Sequence, residues 1–218
     1  MALKATIVTV TPYQQNCSII KCESTGRGAI VDPGGDSDRI LAAVEQMQVQ
    51  VEKILLTHGH VDHSAAADPM RKEFGVPIEG PHEADRFWLE KLPDWTKMSN
   101  FPHADPFEPD RWLKGGDTVT IGAETLDVYF CPGHSPGHVI FVHAQQRVAW
   151  VGDVIFQGSV GRTDLPMCCH EALMSSIHET LLPLGDDLTF IPGHGPVSTL
   201  GQERQRNPFV MDARYGLG

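Results

Sequence analysis

Hydrophobic and polar positions alternate from Leu3 to Val10, the two-residue period of a strand with one buried face. Short apolar, β-branched runs at Cys17–Cys22, Gly28–Val31 and Val51–Leu56 predict three more strands. Asp32-Pro33-Gly34-Gly35 is a sharp break; Ile40, Leu41, Val44 and Met47 then recur at helical spacing, with Asp36 or Ser37 placed to cap that helix. A helix is expected over Ser64–Phe74, a short strand over Val76–Ile78 and another helix over His82–Leu92. Pro93–Arg111, rich in Pro, Asp and aromatics, shows no period and reads as a long loop, either a lid or a plain surface connection. Strand pairs follow at Thr118–Ile121 with Thr125–Phe130 and at Val139–Val142 with Val148–Val151. His170–Leu182 reads as a helix, Leu188–Ile191 as a strand and Ser198–Gln205 as a last short helix. No repeat, low-complexity tract or linker interrupts this order, so 1–218 is expected to form one α/β (α+β) domain with two mixed sheets flanked by helices.

The candidate chemistry lies where strands end. Thr57-His58-Gly59-His60-Val61-Asp62-His63 sits between the strand ending at Leu56 and the helix that follows. His134 in Cys131-Pro132-Gly133-His134, Asp153 in Gly152-Asp153 and His194 in Pro192-Gly193-His194-Gly195 follow three further strands. Imidazole and carboxylate suit zinc, iron or manganese, and glycine in each turn lets backbone approach an ion closely. Seven donors suit two divalent ions. His58, His60 and His134 would hold one, Asp62, His63 and His194 the other, and Asp153 would bridge them. Asp62 and Asp153 are the candidate catalytic carboxylates, beside a hydroxide trapped between the ions as nucleophile.

Charge and cysteine usage narrow the field. A net charge of −11 disfavours a nucleic-acid partner, which calls for a basic face. The five cysteines are odd in number and include no Cys-x-x-Cys, and Ala5–Val10 is too short for a signal core. No window reaches a transmembrane span. A protein of a reducing compartment, the cytoplasm, acting on a small molecule and not on membranes, is the expectation.

Thr57-His-x-His-x-Asp-His63, Pro-Gly-His134, Gly-Asp153 and Pro-Gly-His194 resemble the metallo-β-lactamase superfamily in residue and order, and Val31-Asp32-Pro33-Gly34 extends the likeness. Within it the chain is similar to the glyoxalase II group, the hydroxyacylglutathione hydrolases, and to its short YcbL-type bacterial members. These share Gly161-Arg162-Thr163-Asp164 and a tail like Pro192-Gly-His-Gly-Pro196 through Glu203 to Asn207-Pro208-Phe209. The resemblance implies an αββα sandwich, a two-metal site and hydrolysis of S-D-lactoylglutathione or a related thioester. Only 24 residues follow His194, too few for the C-terminal helical domain with which larger glyoxalase II enzymes grip glutathione. The alternative is a persulfide dioxygenase of the same fold, with a single iron on His58, His134 and Asp153. A β-lactamase is disfavoured because no cysteine occupies a ligand turn.

Outside the donor set, Asp32 either supports the ligand turns or is a plain turn residue. Arg162 either meets a substrate carboxylate or braces its loop against Asp164. Arg204 and Arg206 could add to a substrate grip, though exposed helix charges usually do not. His138 reads as a hydrogen-bonded scaffold residue, and His82, His103, His143, His170 and His178 as surface or core. Cys131 reads as a small core residue, and Cys168 and Cys169 as buried or idle thiols.

Overall fold

Neighbouring residues of one strand face opposite ways, and this alternation sorts the apolar residues into three layers. Ile19 and Ile20, Ile54 and Leu55, and Phe190 and Ile191 each divide between two of them. The structure, a computed structural model, describes residues 2–211. Its first sheet has the order β1 (Leu3–Val10), β2 (Gln15–Cys22), β3 (Arg27–Val31), β4 (Gln50–Leu55) and β5 (Ile78–Glu79). The first three strands run antiparallel, and β3, β4 and β5 run parallel. In the second sheet β6 (Thr118–Ile121), β7 (Glu124–Phe130), β8 (Val139–His143) and β9 (Val148–Gly152) form an antiparallel meander. A separate hairpin, β10 (Ile155–Phe156) and β11 (Ser159–Val160), precedes β12 (Thr189–Pro192), which pairs parallel to β9, and β13 (Ser198–Thr199) at the edge.

Val31, Leu55, Phe141 and Trp150 pack between the two sheets. Truncating a side chain as large and as buried as Phe141 costs about 3–5 kcal/mol. On the first sheet's outer face lie α1 (Ser37–Met47) and α3 (Ala67–Phe74), through Ile40, Val44, Ala67 and Met70. On the second sheet's outer face lie α6 (His170–Ser175) and α7 (Leu200–Arg206), through Leu173 and Leu200. The result is the expected αββα sandwich.

Several local expectations need correction. Ser64–Phe74 is not one helix: α2 (Val61–Ser64) begins inside the histidine motif and ends before α3. Ser64 Oγ donates to the Gly59 and His60 carbonyls, and Ala66 N–H turns away to Pro33 O, which breaks the helical ladder. Asp36 is the N-cap residue of α1, in a left-handed conformation, but its side chain makes no capping bond and its carboxylate accepts the Thr11 amide. The predicted His82–Leu92 helix is divided into a 3-10 turn at Glu83–Asp85 and α4 (Arg86–Glu90). Pro93–Arg111 is not a structureless loop, and its first part, through Trp95 and Ser99, lines the cavity described below. It opens inside α5 (Leu92–Met98), where Pro93 occupies the first turn that tolerates it, and its remainder buries Phe101, Ala104 and Phe107 in the core. The helix from His170 relaxes to π geometry over Ser176–Leu181, and the last helix starts at Leu200, behind the short strand β13. The β10–β11 hairpin is an addition, too short to show a period.

Candidate metal centre

Four strands deliver the donors to one rim of the sandwich. β4 leads into His58, His60 and α2, β7 into His134, β9 into Asp153 and β12 into His194. His58, His60 and His134 each place a ring nitrogen within 4.8 Å of the others, and Asp62, His63 and His194 form a second such group. Asp153 lies between the groups. Its Oδ1 is 3.3 Å from His63 Nε2, and its Oδ2 is 3.4 Å from His134 Nε2 and 3.5 Å from His194 Nε2. Asp62 Oδ2 is 3.1 Å from His194 Nε2 and 3.8 Å from His63 Nε2. All seven candidate donors therefore lie together at one rim, with Asp153 between the two groups.

The donors fit a metal. His58 Nε2, His63 Nε2 and Asp153 Oδ1 are buried without a hydrogen-bond partner. Buried polar atoms rarely stay unpaired, and metal coordination is one way to satisfy such a convergent set. The space around them is kept by glycine: a Cβ on Gly193 would overlap Asp153 Oδ1 and press on the His63 ring.

Outer hydrogen bonds fix which nitrogen of each ring faces inward. Asp32, at a left-handed φ of 53° just past β3, accepts the Thr57 amide at Oδ1 (2.7 Å) and the Thr57 hydroxyl at Oδ2 (2.7 Å). Oδ2 also lies 3.0 Å from His63 Nδ1, and Thr57 Oγ1 lies 3.0 Å from His58 Nδ1. Asp32 thus supports both donor groups. It also lies close to His58 and His63 as a third acid–imidazole group, but its oxygens are taken up by these contacts. His134 Nδ1 meets the Arg162 carbonyl at 2.8 Å, and His194 Nδ1 meets the Tyr13 carbonyl at 3.0 Å. His138 Nε2 accepts the Asp153 amide at 3.0 Å and its ring stacks on His58, so it is scaffold as expected.

Electrostatics differ between the groups. Burial, joined by repulsion among the imidazoles, pushes His58 and His60 well below the ordinary histidine pKa, and burial also lowers His134. Burial opposes charge on His63 as well, but the Asp153 and Asp62 carboxylates outweigh it and raise its pKa. At His194, too, burial is outweighed, by the Asp62 hydrogen bond and by Asp153. Asp153 is buried, yet the surrounding imidazoles hold its carboxyl well below the usual range.

Two supports carry no sequence signal. Asp85, fully buried, accepts the Gly59 amide (2.8 Å), the Ser135 hydroxyl (2.8 Å) and the Gly137 amide, tying the first histidine turn to the turn of His134. Burial raises its pKa to about 6. Asn16 donates from Nδ2 to Pro192 O (3.1 Å) and Gly195 O (2.8 Å), holding the His194 turn. Both residues stand in stretches that read as ordinary helix and turn.

A cavity of about 410 Å³ opens over the centre, walled by Trp88, Trp95, Phe156, Val160 and Leu165. Arg162 lines it too, but its Nε and Nη2 pair with Asp164 at 2.7 and 2.8 Å. Arg204 is committed elsewhere, to Asp186 and the Leu182 carbonyl. Cys131 is core as expected. Cys168 and Cys169 are not buried: the first is half-buried, with its thiol against the His134 carbonyl, and the second is exposed.

Fold and site together define a metallo-hydrolase, and the chain belongs to the metallo-beta-lactamase superfamily, whose description matches residues 10–205. Within that superfamily it is a homologue of hydroxyacylglutathione hydrolase. It is 43% identical over 205 residues to hydroxyacylglutathione hydrolase GloC of Haemophilus influenzae, spanning 94% of this chain and 96% of that one. Two solved structures are similar along almost their whole length. One is the BLEG-1 B3 metallo-beta-lactamase (TM-score 0.88, 35% identity, 96% of this chain and 100% of that one). The other is TTHA1623 in a di-iron-bound form (TM-score 0.84, 33% identity, 94% and 99%). No helix of the described residues is long and apolar enough to cross a membrane.

Proposed function

We propose that this enzyme hydrolyses thioesters of the glyoxalase II type, S-D-lactoylglutathione or a related compound, with two divalent ions per chain drawn from zinc, iron and manganese. The observation that carries the reading is the meeting of two three-residue donor groups around the single carboxylate of Asp153. When bound, such ions supply Lewis acidity and a water acidic enough to ionise near neutral pH. His58, His60 and His134 would hold one ion, Asp62, His63 and His194 the other, with Asp153 shared. Asp32 and Thr57 engage the outer nitrogens of His63 and His58, so that the inner nitrogens are the ones turned toward the ions. Asp62 and Asp153 are the carboxylates at the reacting centre. Trp88, Trp95 and Phe156 exclude bulk water from one side of the cavity. A thiol leaving group, with an ordinary pKa near 8.5, departs without a dedicated general acid.

The cavity argues for a weak hold on glutathione. Arg162 is the one Lys or Arg among its described lining residues, and its charge is engaged by Asp164. Little remains to pair with the carboxylates of the tripeptide, so remote binding energy for that part is small. Detectable but inefficient turnover of S-D-lactoylglutathione is the expected outcome. The dioxygenase reading on His58, His134 and Asp153 is the weaker one, because it leaves Asp62, His63 and His194 without a task.

Metal analysis combined with steady-state kinetics on S-D-lactoylglutathione, a truncated thioester and a β-lactam tests the reading. Two ions per chain with thioester turnover supports it. A marked glutathione preference that is lost in Arg162→Ala would overturn the weak-hold argument. Absence of thioester turnover, with oxygen uptake on glutathione persulfide by the iron form, would replace the function altogether.

A further inference from the structure

The β10–β11 hairpin is a wall of the cavity, to which it contributes Phe156, Ser159 and Val160. The Phe156 ring centroid lies 6.1 Å from that of His194, so this wall stands beside the donors. Two strands of two residues each cannot fix their own position, since isolated hairpins are marginal in water. The tail of the chain fixes it instead. Glu203 on α7 is buried, and its Oε2 accepts the Gly158 amide at 2.7 Å and Asn207 Nδ2 at 3.0 Å, while its Oε1 accepts the Ser198 hydroxyl. Asn207, fully buried, donates from Nδ2 to Phe156 O (3.2 Å) and Ser159 O (2.9 Å), the residues on either side of the hairpin turn. The Phe156 and Ser159 carbonyls and the Gly158 amide thus end on two tail side chains. Neither belongs to the donor set.

We propose that this hairpin is the specificity-determining wall of the enzyme, reading an apolar acyl side chain through Phe156 and Val160, and that Glu203 and Asn207 are the positioning residues that hold it there. The identity of the acyl ligand rests on the thioesterase reading above; the holding of the hairpin does not. A carboxylate is not required for the latch. A glutamine at 203 can keep its oxygen toward Gly158 and Asn207 and donate from its nitrogen to Ser198 Oγ, so all partners stay satisfied. An alanine at 203 takes the acceptor from the Gly158 amide, and an alanine at 207 takes the donor from the Phe156 and Ser159 carbonyls.

The test measures four things on the metal-loaded full chain: metal content, thermal midpoint, hydrogen exchange at residues 155–160, and kcat and KM for thioesters of one small thiol carrier with acyl groups from acetyl to hexanoyl. In the wild type KM falls as the acyl chain lengthens, and Phe156→Ala flattens that trend. Glu203→Ala and Asn207→Ala speed exchange at 155–160 and raise KM for the longer acyl groups roughly tenfold, with kcat changed by less than about twofold and metal content kept. Glu203→Gln retains wild-type protection of the hairpin. Unchanged exchange in both alanine variants overturns the latch. So does loss of metal and kcat in parallel, which would make the tail a support of the whole centre. An acyl series untouched by Phe156→Ala overturns the specificity role. A wild type inactive on every thioester defeats the thioesterase reading and the acyl assignment, and exchange at 155–160 then decides the latch by itself.

Discussion

Asp32 Oδ2 and His63 Nδ1 lie 3.0 Å apart, on side chains that come from different strand ends and are both buried. The carboxylate engages the outer nitrogen of the ring and turns the inner one toward Asp62 and Asp153. Asp32→Asn removes the charge and can present an N–H where the ring needs an acceptor. Loss of such an outer partner typically costs 10- to 100-fold in metal affinity, so the variant should lose roughly that factor, mainly at the Asp62–His63–His194 group. Metal titration by competition with a chromophoric chelator measures it. Wild-type affinity at both sites would reduce Asp32 to a turn residue.

Asp153→Ala should strip metal from both groups and abolish hydrolysis, because one carboxylate faces both. Elemental analysis of the purified variant is the check. Two ions per chain retained would break the bridging assignment.

Asp85→Ala leaves the Gly59 and Gly137 amides and the Ser135 hydroxyl buried without an acceptor. Unsatisfied buried groups cost about 1–3 kcal/mol each, so a loss of about 3 kcal/mol or more is expected. Denaturant unfolding reads this directly. Asp85 touches no donor nitrogen, so residual activity of the folded fraction should survive better than in Asp153→Ala.

The metal-free enzyme should lose stability on acidification. The ordinary pKa of 6.5 is lowered in the folded chain at His58, His60, His82, His134 and His138, by burial first of all. Such groups take up protons on unfolding once the pH falls below about 6.5, which favours the unfolded state. His63 and His194 act the other way: their raised values add stability below that pH, which fades as the pH climbs through them. Asp85 also acts the other way, because its buried carboxyl, raised to about 6, loses its burial penalty as it protonates. Five lowered histidines against these three groups set the expected sign. The thermal midpoint of chelator-treated protein should fall between about pH 7.5 and about pH 5.5. A midpoint that rises over this interval would mean the carboxylate-paired histidines dominate.

The candidate donors were legible in the sequence because His58, His60, His134, Asp153 and His194 stand beside glycines just after apolar runs, with Asp62 and His63 following at once in α2. The sheets were legible for the same reason, since β-branched runs such as Ile54-Leu55 alternate between two cores. What escaped was anything fixed by long-range contact. Pro93–Arg111 showed no period because Phe101, Ala104 and Phe107 reach the core from irregular backbone. Asp85 and Asn16 act through a few hydrogen bonds to residues far along the chain, and no local spacing encodes those. Residues 155–160 are too brief to carry a strand signature.

The separation between chemistry and walls has an evolutionary consequence. Donors stand on strand ends gripped by the two sheets, whereas Trp95, Phe156 and Leu165 belong to peripheral segments that carry no donor. Descendants of such an architecture can acquire new substrates by altering a helix pair or a six-residue hairpin, while the hydrolytic apparatus is inherited untouched.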